Sequence, residues 1–284
     1  LLATFSIALA LERPTLGRQA LALGAVALAC TIRLQGLVLL VVLPTAVLVH
    51  AFLEPLPAAR LRRAVRSFLP TALVFAAAGS AYAAVVLGVG ASWSSGLGGY
   101  QVTTQVGYSA ANAARWVGYQ FGELELASGF LAIPALLALL VWAVRRRSQT
   151  TPAERAFLAV TTSALFWLVI QTGVFASRFA DRVEERLMFY VTPLLLLALV
   201  LWLWRLPAQT RLVKAAAFAA PAALLLALPL GRLITPAIFS DTFALIPFAA
   251  LRGSLSLGEV RAIIVGAVAV AGALFIFGHR ALVQ

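Results

Sequence analysis

The chain has 284 residues, of which 62% are hydrophobic and 11% are charged, and its formal net charge is +12. A soluble domain carries about a quarter charged residues, so this composition excludes an ordinary soluble protein and predicts an all-α, polytopic transmembrane helical bundle. The positive charge does not indicate a nucleic-acid binder, because the basic residues fall in short loops between apolar stretches, as in the positive-inside pattern.

Apolar stretches that approach the length of a membrane-crossing helix recur along the chain, among them 69–89, 156–175 and 187–204. We expect about eight to nine membrane segments, including one short V-shaped helix pair, in a single transmembrane domain over residues 1–284. Placing the basic loops on the cytoplasmic side predicts that segments 90–126, 177–186 and 236–259 lie on the external side of the membrane. Because Leu1 already lies in an apolar run, we expect the sequence to begin partway through a longer protein.

The V-shaped pair is expected within residues 20–53, which have basic loops on both sides and should therefore cross the membrane an even number of times. One straight helix over this range would be about 51 Å long, which exceeds the hydrocarbon core. The two arms, 20–31 and 37–52, are each shorter than a full span. We therefore place a tip at residues 32–36.

The predicted tip carries Arg33 and Gln35 between two apolar arms. An arginine in this setting is costly unless it meets water or a partner, and its planar fork suits a phosphate or diphosphate group. The alternative is an arginine that extends to the external headgroups. The residues alone leave the two interpretations equally supported.

A second group of candidates lies in the segment 177–190, where six charges of both signs precede an apolar stretch. Arginines here could hold phosphate, and carboxylates could orient them or accept sugar hydroxyls. The alternative is a solvated helix start, where acidic residues favour the positive end of the dipole. The candidate residues are Asp181, Glu184, Glu185, Arg186 and Tyr190.

Two short motifs resemble a known family. Residues 31–37, Thr-Ile-Arg-Leu-Gln-Gly-Leu, resemble the Arg-x-x-Gly-Leu element of polyprenyl-phosphate-dependent glycosyltransferases of the GT-C class, which include bacterial mannosyl- and arabinosyltransferase-like membrane proteins. Residues 185–193, Glu-Arg-Leu-Met-Phe-Tyr-Val-Thr-Pro, resemble their Glu-Arg-aromatic-apolar-Pro element, although Leu187 stands where the family has an aromatic residue. The remaining chain is similar to the class in general architecture alone.

The resemblance implies an enzyme that moves a sugar from a polyprenyl phosphate to a glycan, lipid or protein acceptor on the external face of the inner membrane. It implies that Arg33 and Arg186 contact the donor, with Gln35, Asp181, Glu184, Glu185 and Tyr190 lining the same cavity. The main catalytic carboxylate is then expected in a first external loop upstream of Leu1. No cofactor is implied with certainty; a divalent cation stays open, although the sequence shows no His/Asp/Glu metal cluster.

Two other functions remain open at this stage. A secondary transporter or lipid flippase would carry charges or broken helices near the middle of the membrane, often in paired repeats. The sequence predicts one broken pair without a second copy. A non-catalytic membrane subunit would carry a packing face of small residues, which the general abundance of alanine hides.

Overall fold

The computed structural model describes residues 1–55, 60–235 and 238–278. These residues are 82% helical and contain no strand, which confirms the all-α class. Four of their helices are long and apolar enough to cross a membrane, or five spans result if one bent helix pair is counted as a single crossing. The predicted count of eight to nine membrane segments is not confirmed, because several apolar helices are shorter than a bilayer crossing.

The helices of the described residues follow one another with short connections. In chain order they are α1 (Leu2–Glu12), α2 (Leu16–Ile32), α3 (Leu39–Leu53), α4 (Arg60–Ser67), α5 (Leu69–Gly88), α6 (Val102–Gln105), α7 (Ala110–Ala127), α8 (Ala132–Arg145), α9 (Pro152–Phe175), α10 (Glu185–Met188), α11 (Thr192–Arg205), α12 (Arg211–Leu226), α13 (Leu230–Leu233), α14 (Ile238–Asp241), α15 (Ile246–Leu251) and α16 (Leu257–Phe277). Short 3-10 turns cover Leu34–Val38, Ser95–Gln101, Arg147–Gln149 and Phe243–Leu245, and a π-helical turn covers Ala176–Ala180. The candidate spans are Leu34–Leu53, Leu69–Gly88, Pro152–Ala180, Leu257–Phe277 and the bent pair α7 and α8.

The chain packs into two compact units, which are Leu1–Gly107 with Arg147–Ala164, and Tyr108–Arg146 with Leu165–Gln284. Each unit has its own set of buried apolar side chains. The single transmembrane domain expected from the sequence stays a prediction.

The first unit is built on a cluster of small and branched apolar side chains from α1, α2, α3 and the start of α9. Small side chains let helix backbones approach closely, which suits packing in a bilayer. The buried members of this cluster are Ala3, Ile7, Ala10, Leu11, Ala22, Ala25, Val26, Leu43, Ala46, Ala156, Ala159 and Val160.

The chain breaks at Arg33, as expected for the tip of the helix pair. Arg33 has extended backbone angles of φ −151° and ψ 127°, which end α2 and precede the 3-10 turn. The turn folds back onto α2, because a Cβ added to Gly36 would lie 2.6 Å from the Ala29 carbonyl oxygen. The second arm was predicted too short to cross, and this was wrong. The 3-10 turn continues into α3 and gives Leu34–Leu53, which is long enough for a span.

The second unit is built from α7, α8, α11, α12 and α16, with α8 in contact with α11 and α12, and α12 in contact with α7 and α16. The rings of Trp202 and Phe275 stack with their centroids 4.6 Å apart. Helix α7 lies directly against the backbone of α12, since a Cβ on Gly122 would meet the Leu224 carbonyl oxygen at 2.6 Å.

Helices α7 and α8 meet at an angle of 102° across a break of four residues or fewer. Gly129 and Phe130 have positive φ values of 80° and 66°, which end the first helix and redirect the chain. Glu123 and Glu125 are buried in the last two turns before this break. The pair is therefore a broken span or a re-entrant loop, where the sequence predicted an external segment up to residue 126.

Candidate functional site

The segment that follows α9 carries most of the residues singled out from the sequence. The helix ends in the π-helical turn, where the Asp181 amide donates to the Ala176 carbonyl oxygen at 3.0 Å, and Asp181 then takes a left-handed conformation with φ 49° and ψ 29°. Residues 182–184 follow in non-helical backbone, and α10 starts at Glu185. The wide turn and the left-handed conformation of Asp181 end the helix. The charged side chains that follow therefore contact other elements of the second unit.

Helix α7 holds this segment with polar side chains at helical spacing. Asn112 Nδ2 donates to the Ser177 carbonyl oxygen at 2.8 Å. Two turns later, Gln120 Nε2 donates to the Arg182 carbonyl oxygen at 3.4 Å, while its Oε1 accepts from the Glu184 amide at 3.1 Å. Residues eight apart in an α-helix differ by about 80° in direction, so both side chains lie on one side of α7, which supports the segment.

Asp241, at the end of α14, joins two arginines of the segment. Its Oδ2 lies 2.9 Å from Arg182 Nη2, and its Oδ1 lies 3.4 Å from Arg186 Nη2. The Ser240 hydroxyl donates to the same Oδ2 at 2.8 Å. Arg182 Nε also donates to Glu184 Oε1 at 3.0 Å. The Asp241 and Glu184 side chains are only 3% and 4% exposed, whereas those of Arg182 and Arg186 are 41% and 52% exposed.

Two further hydrogen bonds fix the segment to the chain around Asp241. The Thr242 hydroxyl donates to the Val183 carbonyl oxygen at 2.7 Å, and the Ala244 amide donates to Glu185 Oε2 at 2.7 Å. The Glu184, Glu185 and Asp241 carboxylates are therefore buried and bonded, while the Arg182 and Arg186 side chains are partly exposed. This arrangement presents two arginines whose positions are fixed by buried carboxylates.

Asp181 is placed differently from the other acidic residues of the segment. Its carboxylate pairs with Arg232 Nη2, and the two side chains are 75% and 48% exposed. The Arg232 guanidinium also lies 5.5 Å from the centroid of the buried Trp116 ring. Asp181 thus belongs to an exposed ion pair beside the buried network.

Burial raises the pKa of the Glu184 carboxyl above its usual range, and the neighbouring Asp241 carboxylate raises it further. Arg182 opposes both effects through its charge and its hydrogen bond, and the charge of Arg186 adds to this opposition. Burial is the larger effect, because a carboxylate removed from water loses its hydration.

Tyr190 and the two tip residues complete the predicted set. Tyr190 lies between α10 and α11 with 43% of its surface exposed. Arg33 is exposed in the first unit, and Gln35 is half-buried in the 3-10 turn that follows it. The structure brings Glu184, Glu185 and Arg186 together within the second unit. The expectation that these residues share one wet pocket with Arg33 stays a prediction.

Four residues of this network were not predicted from the sequence: Gln120, Glu123, Arg232 and Asp241. Glu123 is fully buried in α7 and interacts with Glu185. A usable signal for three of them was present, because Glu123, Arg232 and Asp241 are charged residues in otherwise apolar surroundings, where a charge is rare without a role. Gln120 gave no such signal.

The acidic residues do not form a recognisable metal centre. Over residues 1–55, 60–235 and 238–278, no group of three or more His, Cys, Asp or Glu side chains is arranged to hold a metal ion. A divalent cation therefore stays an expectation of the resemblance alone.

Comparisons with protein-family models, with curated proteins and with solved structures each gave no match for this chain. Function is therefore argued from the residues of the two units.

Proposed function

We propose that the chain is part of a membrane glycosyltransferase that moves a sugar from a polyprenyl-phosphate donor to an acceptor on the external face of the inner membrane. The observation that carries this proposal is the pair of half-exposed arginines, Arg182 and Arg186, held by the buried Asp241 carboxylate shortly before the apolar helix α11. A fixed arginine pair at the start of an apolar helix suits a ligand with a phosphate group and a lipid tail.

The chemistry is a substitution at the anomeric carbon of the sugar. The acceptor hydroxyl oxygen forms a bond to this carbon, the bond from the carbon to the phosphate oxygen breaks, and polyprenyl phosphate leaves with the electron pair. Arg182 and Arg186 stabilise the negative charge that develops on the leaving phosphate. Tyr190 lines the donor site, and Arg33 and Gln35 stay predicted donor contacts. The acceptor is a glycan, a lipid or a protein.

The proton of the acceptor hydroxyl requires a carboxylate base. Glu184 accepts from Arg182 Nε, and Glu185 accepts from the Ala244 amide, so both are engaged in holding the segment. We therefore assign Glu184 and Glu185 a positioning role. The resemblance places the base in an external loop outside this sequence.

The fold proposed for this enzyme retains eight to nine membrane segments, with the shorter apolar helices α1, α2 and α11 as additional partial crossings. Short helices can end inside the bilayer when their ends are buried in protein or line a wet cavity. Such a cavity is where a lipid-linked sugar would meet its acceptor.

The test measures sugar transfer by the full-length protein in lipid nanodiscs supplied with a polyprenyl-phosphate sugar and an acceptor. Arg33→Ala and Arg186→Ala should each abolish transfer without reducing membrane insertion. Arg13→Ala and Arg252→Ala serve as matched controls, since both replace exposed arginines that have no role in the proposed site. Normal transfer by both site variants would refute the assigned roles.

A lipid flippase or secondary transporter is the second candidate, and one observation favours it. Buried acidic residues beside a sharp helix break, as at Glu123 and Glu125 in the α7–α8 pair, are typical of transport pathways. Vesicles carrying a polyprenyl-phosphate sugar in one leaflet separate the two functions. Movement of the intact donor to the other leaflet, lost in Glu123→Gln, would support transport, whereas cleavage of the sugar–phosphate bond would support the transferase.

A further inference from the structure

Asp241 lies 55 residues beyond Arg186 in the sequence, yet its carboxylate contacts both arginines of the proposed donor site. It uses a different oxygen for each guanidinium, Oδ2 for Arg182 and Oδ1 for Arg186. One buried carboxylate therefore sets the spacing between two positive groups that belong to a non-helical segment and a short helix.

The contacts leave both guanidinium groups able to bind a further ligand. Arg182 contacts carboxylates through Nε and Nη2, and Arg186 contacts Asp241 through Nη2. A guanidinium carries five N–H donors, so each side chain has more donors than these contacts use. The two side chains are 41% and 52% exposed, so each remains partly accessible from solvent.

Asp241 is itself held in place on several sides. Ser240 donates to its Oδ2, and the next residue, Thr242, donates to the Val183 carbonyl oxygen at 2.7 Å. With 3% of its side chain exposed, the Asp241 carboxylate has little freedom to change rotamer. A rigid acceptor of this kind orders long, flexible arginine side chains before a ligand arrives, which lowers the entropy cost of binding.

We propose that Asp241 is a positioning residue that orients Arg182 and Arg186 as a two-armed receptor for a phosphate ester. This inference rests on the proposed function for its ligand, since it assumes that Arg186 contacts the donor phosphate. The phosphate is either the headgroup of an isoprenyl lipid or a free phosphate, because both present the same oxygens to a guanidinium.

The alternative role for Asp241 predicts the opposite result. A carboxylate that merely neutralises or competes for the arginines would weaken phosphate binding, so its removal would strengthen binding through the added positive charge. A positioning carboxylate aids phosphate binding, so removal of the carboxylate weakens that binding. The sign of the change in affinity for Asp241→Asn therefore decides between the two roles.

The experiment follows modification of Arg182 and Arg186 by phenylglyoxal, read by mass spectrometry, on the full-length protein in nanodiscs. The probes are inorganic phosphate and a short-chain isoprenyl phosphate, and each is titrated for protection of the two arginines. We expect protection in the wild type, and an apparent affinity for the probe that falls about tenfold to a hundredfold in Asp241→Asn, as when groups that orient metal ligands are replaced. Protection by the isoprenyl probe at far lower concentration would identify the lipid headgroup as the ligand.

Unchanged or tighter protection in Asp241→Asn overturns the positioning role. Glu12→Gln is the matched control, because Glu12 pairs with Arg18 at 3.1 Å in the first unit, and it should leave protection unchanged. If Asp241→Asn does not fold, Asp241→Glu keeps the charge and displaces the carboxylate, and protection must still weaken severalfold. Equal protection in that variant also overturns the inference.

Sugar transfer is measured on the same samples, so that the two proposals fail separately. Transfer without protection of either arginine in the wild type overturns the role of Asp241 and leaves the enzyme proposal standing. Protection that depends on Asp241, with no transfer to any acceptor tried, supports the phosphate receptor and counts against the glycosyltransferase.

Discussion

The side-chain oxygen of Gln120 accepts a hydrogen bond from the backbone amide of Glu184 at 3.1 Å, across 64 residues of sequence. The Nε2 atom of the same Gln120 side chain donates to the Arg182 carbonyl oxygen at 3.4 Å. One side chain therefore satisfies backbone groups on both sides of Val183. Non-helical backbone leaves its polar groups without helical partners, and Gln120 supplies them from α7. The conformation of the charged segment therefore depends on α7, a helix that contains neither Arg182 nor Arg186.

Gln120→Leu should lower the free energy of unfolding by about 1–3 kcal/mol, because it leaves the buried Glu184 amide without an acceptor. Thermal unfolding followed by tryptophan fluorescence measures this change, and hydrogen exchange should show faster exchange at Glu184. Gln105→Leu, at an exposed position in α6, should change stability by less than about 0.5 kcal/mol. Equal stability of the two variants would contradict the proposed support.

Gly173→Ala should destabilise the second unit, because the new Cβ would lie 2.6 Å from Val117 Cα, in the backbone of α7. Overpacking of this kind costs about 1–3 kcal/mol and should appear as a lower thermal midpoint. Gly266→Ala is the matched control in α16, where an added Cβ meets nothing within 4 Å. Since alanine favours a helix over glycine, the control should be neutral or more stable, and a comparable loss in it would refute the steric explanation.

Much of the fold could be predicted because it depends on local composition. The apolar stretch 69–89 predicted α5 within one residue, and the helix break at Arg33 followed from the basic loops around residues 20–53 and from their length. The stretch 187–204 was predicted as a crossing, yet α11 covers Thr192–Arg205, because α10 ends at Met188 and a turn separates the two helices. An apolar run does not reveal where such a turn divides it.

The site was predictable only in part, for a physical reason. Glu184, Glu185 and Arg186 were found because charges are conspicuous beside an apolar helix. Their partners Gln120 and Asp241 are distant in sequence, and pairing between distant residues depends on the tertiary fold. Whether the Arg33 tip joins the same site stays a prediction.

The stability of the protein should depend on pH through Glu184. Because burial raises the pKa of this carboxyl in the folded protein, folding favours its protonated form. The contribution of Glu184 to the free energy of unfolding is then greatest below the ordinary glutamate pKa of 4.5, and it decreases as pH rises through the folded-state pKa. Glu184→Gln mimics the protonated state and keeps an acceptor for Arg182, so it should flatten this decrease in thermal unfolding measured across pH. An unchanged slope in the variant would exclude Glu184 as its source.

The two ion-paired aspartates should differ in their effect on stability. Asp181→Asn should cost less than about 1 kcal/mol, and the loss should shrink in high salt, because Asp181 and Arg232 are both largely exposed. Asp241→Asn should cost more, about 1.5–3 kcal/mol, with less dependence on salt, because it alters a buried carboxylate that bonds two arginines. Thermal unfolding at low and high ionic strength measures both variants. Similar losses with similar salt dependence would contradict the difference in burial.

The π-helical turn at Ala176–Ala180 sets the direction in which the chain leaves α9. Such a turn accommodates one residue more than the α-helical ladder does, and each residue of an α-helix corresponds to about 100° of rotation. Deleting a single alanine there would let the ladder continue, and Arg182 and Arg186 would rotate away from Asp241. The contacts of Arg182 and Arg186 with Asp241 thus depend on the number of residues in this π-helical turn. Inserting or deleting one residue there would break these contacts, although every charged side chain was retained.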